Sequence, residues 1–252
     1  MTNSQLTLIQ IDNYGPWTVT PNPRREVDLQ TLQSRLYADL SQLFGMKKGY
    51  VFFSRFDNMI AVTNGIDLEY HALVQESIGN RYPVTISLSV AHGIQPANAL
   101  GKATEQLQTA GSAQDSERMQ ILVGEPLVEN ERTNEDIQIA HFDVNDATGK
   151  YTDKLNEYDA FIQIEHGYAE LMKYMRKEHG SLSFFVGGDN VITVCSDLKE
   201  KDYENAIGHV QAEVDVELKV GIGNGRTSQE AGMLAKHALE KCREDLTRIE
   251  YG

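Results

Sequence analysis

Two stretches of this chain repeat one another. Phe52-Phe53-Ser54-Arg55-Phe56-Asp57-Asn58 and Phe184-Phe185-Val186-Gly187-Gly188-Asp189-Asn190 share the register Phe-Phe-x-x-x-Asp-Asn. Each runs on into alternating apolar residues, Met59–Val62 and Val191–Val194. Upstream of each lies a short apolar segment ending in an aspartate, Leu6–Asp12 and Ile137–Asp143. Downstream, Ser89-Val90-Ala91-His92-Gly93 parallels Gly221-Ile222-Gly223-Asn224-Gly225. Asp12 to Asp57 is 45 positions and Asp143 to Asp189 is 46, while Asp57 to Gly93 and Asp189 to Gly225 are both 36. Three ordered matches at a near-constant offset identify a tandem duplication. The 252 residues therefore read as two copies of one unit, residues 1–125 and 126–252, each with its own core.

Each unit reads β-α-β-β-α-β with a further helix at its end. The first helix carries Leu29, Leu32, Leu36, Leu40 and Leu43 in one copy and Phe161, Ile164, Tyr168, Leu171 and Met175 in the other, at helical spacing. Two strands flank the Asp-Asn turn, where Gly and Asn supply hairpin chemistry. A later strand, Val84–Val90 or Val216–Ile222, precedes a final helix containing Ala97–Leu107 or Gln229–Cys242. That order is an α+β fold, two tandem ferredoxin-like units. The acidic and polar stretch from Gly111 to Asp136 reads as the linker, with a short strand around Ile121–Val123.

Charge narrows the partners. Asp and Glu total 37 against 23 Lys and Arg, a net charge of −14, which repels nucleic acid and anionic membrane. Two cysteines, Cys195 and Cys242, make neither a disulfide framework nor a thiolate-rich zinc site. With no apolar run approaching the ~20 residues of a membrane span and no signal-peptide pattern at the start, the expected location is cytoplasmic. If the substrate is itself an anion, something local must reverse the field.

The repeated aspartates offer that. In the split βαβ order the first strand neighbours the central hairpin, so Asp12 is expected to face Asp57, and Asp143 to face Asp189. Paired carboxylates repel unless a cation lies between them, and oxygen-only ligands favour Mg²⁺ or Mn²⁺. The same residues would otherwise cap turns or pair with Arg24, Arg25 or Arg226. The loop Asn13-Tyr14-Gly15 precedes a helical segment and offers backbone amides to phosphates. Gly187 and Gly188 let backbone approach a nucleotide closely. In the other copy Arg55 and Phe56 are too bulky for that, and Arg55 either contacts phosphate or pairs locally. Asn224 and Arg226 follow a strand where a guanine or phosphate contact is conceivable, and His141 shares a strand face with Asp143.

At Gly187-Gly188-Asp189-Asn190 the unit resembles the palm domain of class III nucleotidyl cyclases and GGDEF diguanylate cyclases, with Asn190 where GGDEF proteins carry Glu. The segments 9–26, 33–40, 63–67, 75–83 and 184–190 are closer still to the archaeal GTP cyclohydrolase III family, and they span nearly the whole chain. The resemblance implies tandem palm domains that hydrolyse GTP at guanine C8, leave a formamidopyrimidine ribosyl monophosphate and release two phosphates, on the route to riboflavin and F420. It implies Mg²⁺, two ions or more, with K⁺ as activator, and a homo-oligomer, dimer or tetramer. Asp12, Asp57, Asp143 and Asp189 are then the metal ligands, Asp12 and Asp189 the catalytic pair, and Asn13, Tyr14, Gly15, Arg55, Gly187, Gly188, Asn190 and Arg226 the nucleotide contacts. A nucleotidyl cyclase would use the same fold and metals. A regulatory nucleotide sensor would be expected to have lost one or more of the aspartates, and all four are present.

Overall fold

The computed structural model describes residues 3–127 and 137–252. They form two compact units, each with its own five-stranded sheet. In the first, β1 (Ser4–Ile11), α1 (Tyr14–Val19), α2 (Glu26–Met46), β2 (Tyr50–Arg55), β3 (Asn58–Val62), α3 (Leu68–Arg81), β4 (Ile86–Gly93), α4 (Pro96–Thr109) and β5 (Leu122–Gly124) follow in order. The sheet order is β2-β3-β1-β4-β5. In the second, β6 (Ile137–Val144), a π-helical turn (Thr148–Thr152), α5 (Glu157–His179), β7 (Leu182–Gly187), β8 (Asn190–Cys195), α6 (Glu200–Val214), β9 (Leu218–Gly225), α7 (Ser228–Asp245) and β10 (Ile249–Tyr251) give β7-β8-β6-β9-β10. Strands β2, β3, β1 and β4, and likewise β7, β8, β6 and β9, are antiparallel in ferredoxin-like order, and β5 and β10 add a parallel edge to β4 and β9.

Alternation along β1 and β6 sends one set of side chains to the two-helix face and the other to the opposite face. Ile9 and Ile11 join Leu36, Leu40, Phe44, Val74 and Ile78 from α2 and α3 in the first core. Ala140, Phe142 and Val144 join Leu171, Met175, Tyr203, Ile207 and Val210 from α5 and α6 in the second. Along α5 Leu171 and Met175 are buried as expected, whereas the N-terminal half is one position off: Ala160 and Gly167 are buried and Phe161 is half exposed. Gly167 faces Val216, where a Cβ would come within 2.9 Å of a side-chain methyl. Helix ends are set locally: Asn156 accepts from the Tyr158 and Asp159 amides, and Gly180 closes α5 at φ 63°.

Both cores also hold a glutamine that composition does not flag. Gln5 donates to the Thr63 and Ile66 carbonyls and accepts from the Leu127 amide. Gln138 donates to the Leu198 carbonyl and accepts from the Leu198 amide and the Tyr203 hydroxyl. The first unit therefore continues at least to Leu127. Much of the expected linker is likewise folded onto it: β5 pairs with β4, and Arg118 is buried. Residues 128–136 of that stretch lie outside the described residues. Among those described, no helix is long and apolar enough to cross a membrane.

The outer face of the second sheet carries α7, and three glycines make its approach possible. Cβ atoms added to Gly221 or Gly223 would lie 2.2 Å from the Ala235 or Ala231 carbonyl oxygen, and one on Gly225 would lie 2.6 Å from the Ala231 amide. Ala231, Ala235 and Ala238 complete this small-residue seam from the helix side. Backbone cannot yield as a side-chain tip does, so Gly223→Ala is expected to cost about 2–4 kcal/mol in urea unfolding. Gly208→Ala, where a Cβ meets nothing within 4 Å in the middle of α6, should be neutral or stabilising by up to about 1 kcal/mol.

Candidate functional site

Because Ala231, Ala235, Ala238 and Cys242 of α7 turn into the packed interior, Lys236, Leu239, Glu240 and Arg243 share a neighbouring face. Those four residues, with His141, Val186, Gly187 and Asn190, line a cavity of about 340 Å³. Its floor is the outer face of β6, where His141 and Asp143 point the same way. Asp143 is 3% exposed. Its Oδ2 accepts from Lys219 Nζ and from an Arg243 terminal nitrogen, both at 3.1 Å. Lys219 reaches it directly across the β6–β9 ladder. The other oxygen, Oδ1, is buried, and no amine, amide or hydroxyl group engages it.

Asp189 stands beside it, at the tip of the β7–β8 hairpin. Burial pushes the Asp189 carboxyl above the usual range, and the neighbouring Asp143 charge and hydrogen bond push it further. Gly187 and Gly188 hold φ angles of +117° and +64°, which L side chains rarely adopt, and a Cβ on Gly187 would meet nothing within 4 Å. The glycines are thus required by backbone conformation, and they leave the hairpin tip bare. The Asn190 amide nitrogen faces Asp189 Oδ1 at 3.2 Å and the Gly187 carbonyl at 3.5 Å, so its oxygen accepts from His141 Nε2 at 2.9 Å. Burial holds the His141 pKa down, and Nδ1 has no partner.

The first unit does not repeat this arrangement. Gln10 pairs across the sheet with Asn58 and Ser87, and Asp143 pairs with their repeat counterparts Asn190 and Lys219. Gln10 is therefore the counterpart of Asp143. Asp12 corresponds to Asn145: the Asp12 amide donates to the Thr85 carbonyl as the Asn145 amide does to that of Glu217. The expected Asp12–Asp57 pair is accordingly corrected. Both Asp12 oxygens are occupied, by the Ser87 hydroxyl (2.5 Å) and by the Thr85 hydroxyl (2.8 Å) and Gln120 amide (2.9 Å). Arg118 adds its guanidinium, 3.7 Å from Asp12 and 2.9 Å from the Gln10 side-chain oxygen. Asp57 stays at the hairpin turn, 3.6 Å from exposed Arg55.

The remaining expected contacts divide. Asn190 and Gly187 line the cavity, with Gly188 next to Gly187 at the hairpin tip. Asn13-Tyr14-Gly15 is not an open loop: Asn13 sits at φ 49° with its amide bound to the Ala113 carbonyl, and α1 begins at Tyr14. The Tyr14 hydroxyl accepts from Gln33, and burial raises its pKa. Arg226 lies at the opposite end of α7 from Arg243, about 25 Å away at 1.5 Å per residue, so it does not reach the cavity. Asn224 pairs near the start of β6, opposite Gln138, and is equally remote. Sequence reasoning missed Lys219, Lys236 and Arg243. Lys219 and Arg243 pair with Asp143, and Arg243 also pairs with Glu240 at 2.6 Å, so these cations balance the acids of the cluster. Arg24 stacks 3.9 Å over Trp17, and Arg25 pairs with Asp28, in the first unit.

The raised Asp189 carboxyl carries a sign. Relative to the unfolded chain, its contribution to stability is fully present below about pH 4. It is lost as pH rises through the raised folded value. In metal-free protein, Asp189→Asn is therefore expected to raise thermal stability at pH 7, with the gain shrinking toward pH 4. Parallel melting curves across that range measure it.

A family model described as GTP cyclohydrolase III matches residues 6–251. GTP cyclohydrolase III of Natronomonas pharaonis is 70% identical over 251 residues, covering 100% of this chain and 99% of its own. That of Methanocaldococcus jannaschii is 49% identical over 243 residues, covering 96% and 89%. Among solved structures, the GGDEF domain of PA1120 from Pseudomonas aeruginosa aligns with 49% of this chain and 86% of its own, at 15% identity and a TM-score of 0.40. With nearly its whole length matched by the family model and by such relatives, the chain belongs to the GTP cyclohydrolase III family of enzymes.

Proposed function

We propose that this chain opens the imidazole ring of GTP by hydrolysis at C8 and releases two phosphates. The product is 2-amino-5-formylamino-6-ribosylamino-4(3H)-pyrimidinone 5′-phosphate, an early intermediate toward riboflavin and F420. Three waters balance the reaction. One adds across C8–N9, breaking that bond and leaving the formyl group on N7 and a proton on N9; two more displace the terminal phosphates. The observation that carries the site assignment is the buried Asp143 carboxylate hydrogen-bonded to Asp189, the two aspartates contacting the cavity-lining Arg243 and Asn190 respectively.

Those residues fit a divalent cation such as Mg²⁺: two adjacent carboxylates, oxygen donors only, and one buried oxygen, Asp143 Oδ1, that no amine, amide or hydroxyl group engages. Asp143 and Asp189 would hold it. A bound Mg²⁺ supplies charge neutralisation on phosphate oxygens and a more acidic water. Around it, Lys236 and Arg243 bind phosphate charge from α7, and the bare Gly187-Gly188 backbone lets a nucleotide lie close to the hairpin. Asn190 fixes the His141 ring through Nε2. Asp12, with both oxygens already engaged, serves as a structural pin between β1, β4 and the chain around Gln120. K⁺ is the expected activator.

Following guanine absorbance and phosphate release on incubation with GTP and Mg²⁺ tests the reading. Loss of the purine chromophore with two phosphates per GTP is expected. An intact chromophore with no phosphate release would overturn it. Asp143→Asn and Asp189→Asn should abolish both signals with the fold retained. Asp12→Asn should instead lower stability by about 1–3 kcal/mol, the range for losing charged buried hydrogen bonds, and keep measurable ring opening.

A further inference from the structure

Helix α5 has two apolar faces. At 3.6 residues per turn, Ala160, Gly167, Leu171 and Met175 turn into the core. Tyr158, Phe161, Ile162 and Met172 lie together on the outward side and are 70%, 49%, 49% and 39% exposed. Tyr168 carries this stripe to the edge strand β7, its ring 5.9 Å from that of Phe185. Strand β7, Leu182–Gly187, holds no charged residue, although exposed edges are ordinarily guarded by charge or proline.

The first unit has the same helix without the stripe. Leu40 matches Leu171, Phe44 matches Met175 and the N-cap Arg25 matches the N-cap Asn156, each pair 131 positions apart. Tyr158 then keeps an apolar counterpart, Val27, whereas Phe161, Ile162 and Met172 correspond to Gln30, Thr31 and Ser41. The fold is thus met by polar residues at these positions, and packing within the unit does not account for the apolar ones. The ends of α5 add a direction: Glu157 and Asp159 occupy its first turn, Arg176 and Lys177 its last. Two such helices laid antiparallel set acid against base at both ends and oppose their macrodipoles. The stripe exposes on the order of 400 Å² per copy, a size at which apolar patches on monomers are commonly functional. A polar rim brings such a contact to the roughly 800 Å² per partner of a standard interface.

We infer that the α5 stripe seats a second copy of this chain, in an isologous two-fold contact with the two α5 helices antiparallel. Val186, the residue after Phe185 on the edge strand, lines the cavity, so the contact ends at the cavity rim. Glu165 lies within the stripe near the axis, where it meets its own copy and weakens the pair. The inference stands apart from the metal reading of the site.

Sedimentation velocity on the full chain tests it. Wild type is expected as a dimer or a pair of dimers, and Ile162→Glu at half the wild-type mass. Thr31→Glu, at the matching position of the first unit, should keep the wild-type mass. Arg176→Glu should raise the dissociation constant severalfold, and Glu165→Gln should lower it. A wild type that is monomeric at every concentration would overturn the inference. A folded Ile162→Glu chain of unchanged mass would remove the stripe from the contact, and Arg176→Glu and Glu165→Gln without effect would remove the antiparallel arrangement. Circular dichroism establishes folding, and Ile162→Ser replaces the charged variant if that chain does not fold.

Discussion

Helix α7 lies against β9 backbone to backbone, and the polar cluster of the second unit depends on that closeness. Gly221, Gly223 and Gly225 present no side chain where the helix crosses, so its carbonyls and amides approach to distances that a single methyl would forbid. The approach costs conformational entropy at three glycines. It sets Arg243 within 3.1 Å of a buried carboxylate and places Lys236 and Glu240 along the cavity wall. In the first unit the corresponding strand positions are Ser89, Ala91 and Gly93, and α4 ends at Thr109, before the position that would match Arg243. The chain there turns back and buries Arg118 against Gln10 and Asp12. Two copies of one topology have put their polar centres to different uses.

Much of this was legible before any coordinates. The duplication, the strand and helix order, the short strand near residue 122 and the hairpin register all follow from spacing and pattern. The equivalence of Asp12 with Asp143 does not survive, for a physical reason. A strand has a side-chain period of two, so a slip of two residues leaves every side chain on the same face and the apolar pattern unchanged. Periodicity therefore could not separate Asp12 from Gln10 as the partner of Asp143. The signal that could have done so is the glutamine opening each strand: Gln5 and Gln138 have matching buried roles and are 133 residues apart, as are Gln10 and Asp143. Lys219 and Arg243 were illegible for another reason. Their role comes from a cross-strand register and a helix crossing, neither of which is written in local sequence.

The acidity of the chain also takes a more local meaning. A net charge of −14 describes the surface as a whole, whereas a nucleotide at the cavity would meet Lys236 and Arg243 within a few ångströms. Screening limits the distant charges to about a Debye length, so the near field dominates once a ligand has arrived. An acidic surface and a site whose Lys and Arg are matched by Asp143, Asp189 and Glu240 operate at different ranges.

The stretch from residue 110 to 121 has little regular structure and the composition of a connector, yet it is tied on every side. The Gln120 amide donates to Asp12 and the Ile121 amide to the Ser87 hydroxyl; the Ile121 carbonyl receives the Leu88 amide and the Gln75 side chain. Arg118 is clamped beneath it. A protease that clipped the exposed bond at Glu117 would therefore make a nick and no separation. The pieces would remain joined through the sheet, and severing the duplication would require a cut farther along the chain.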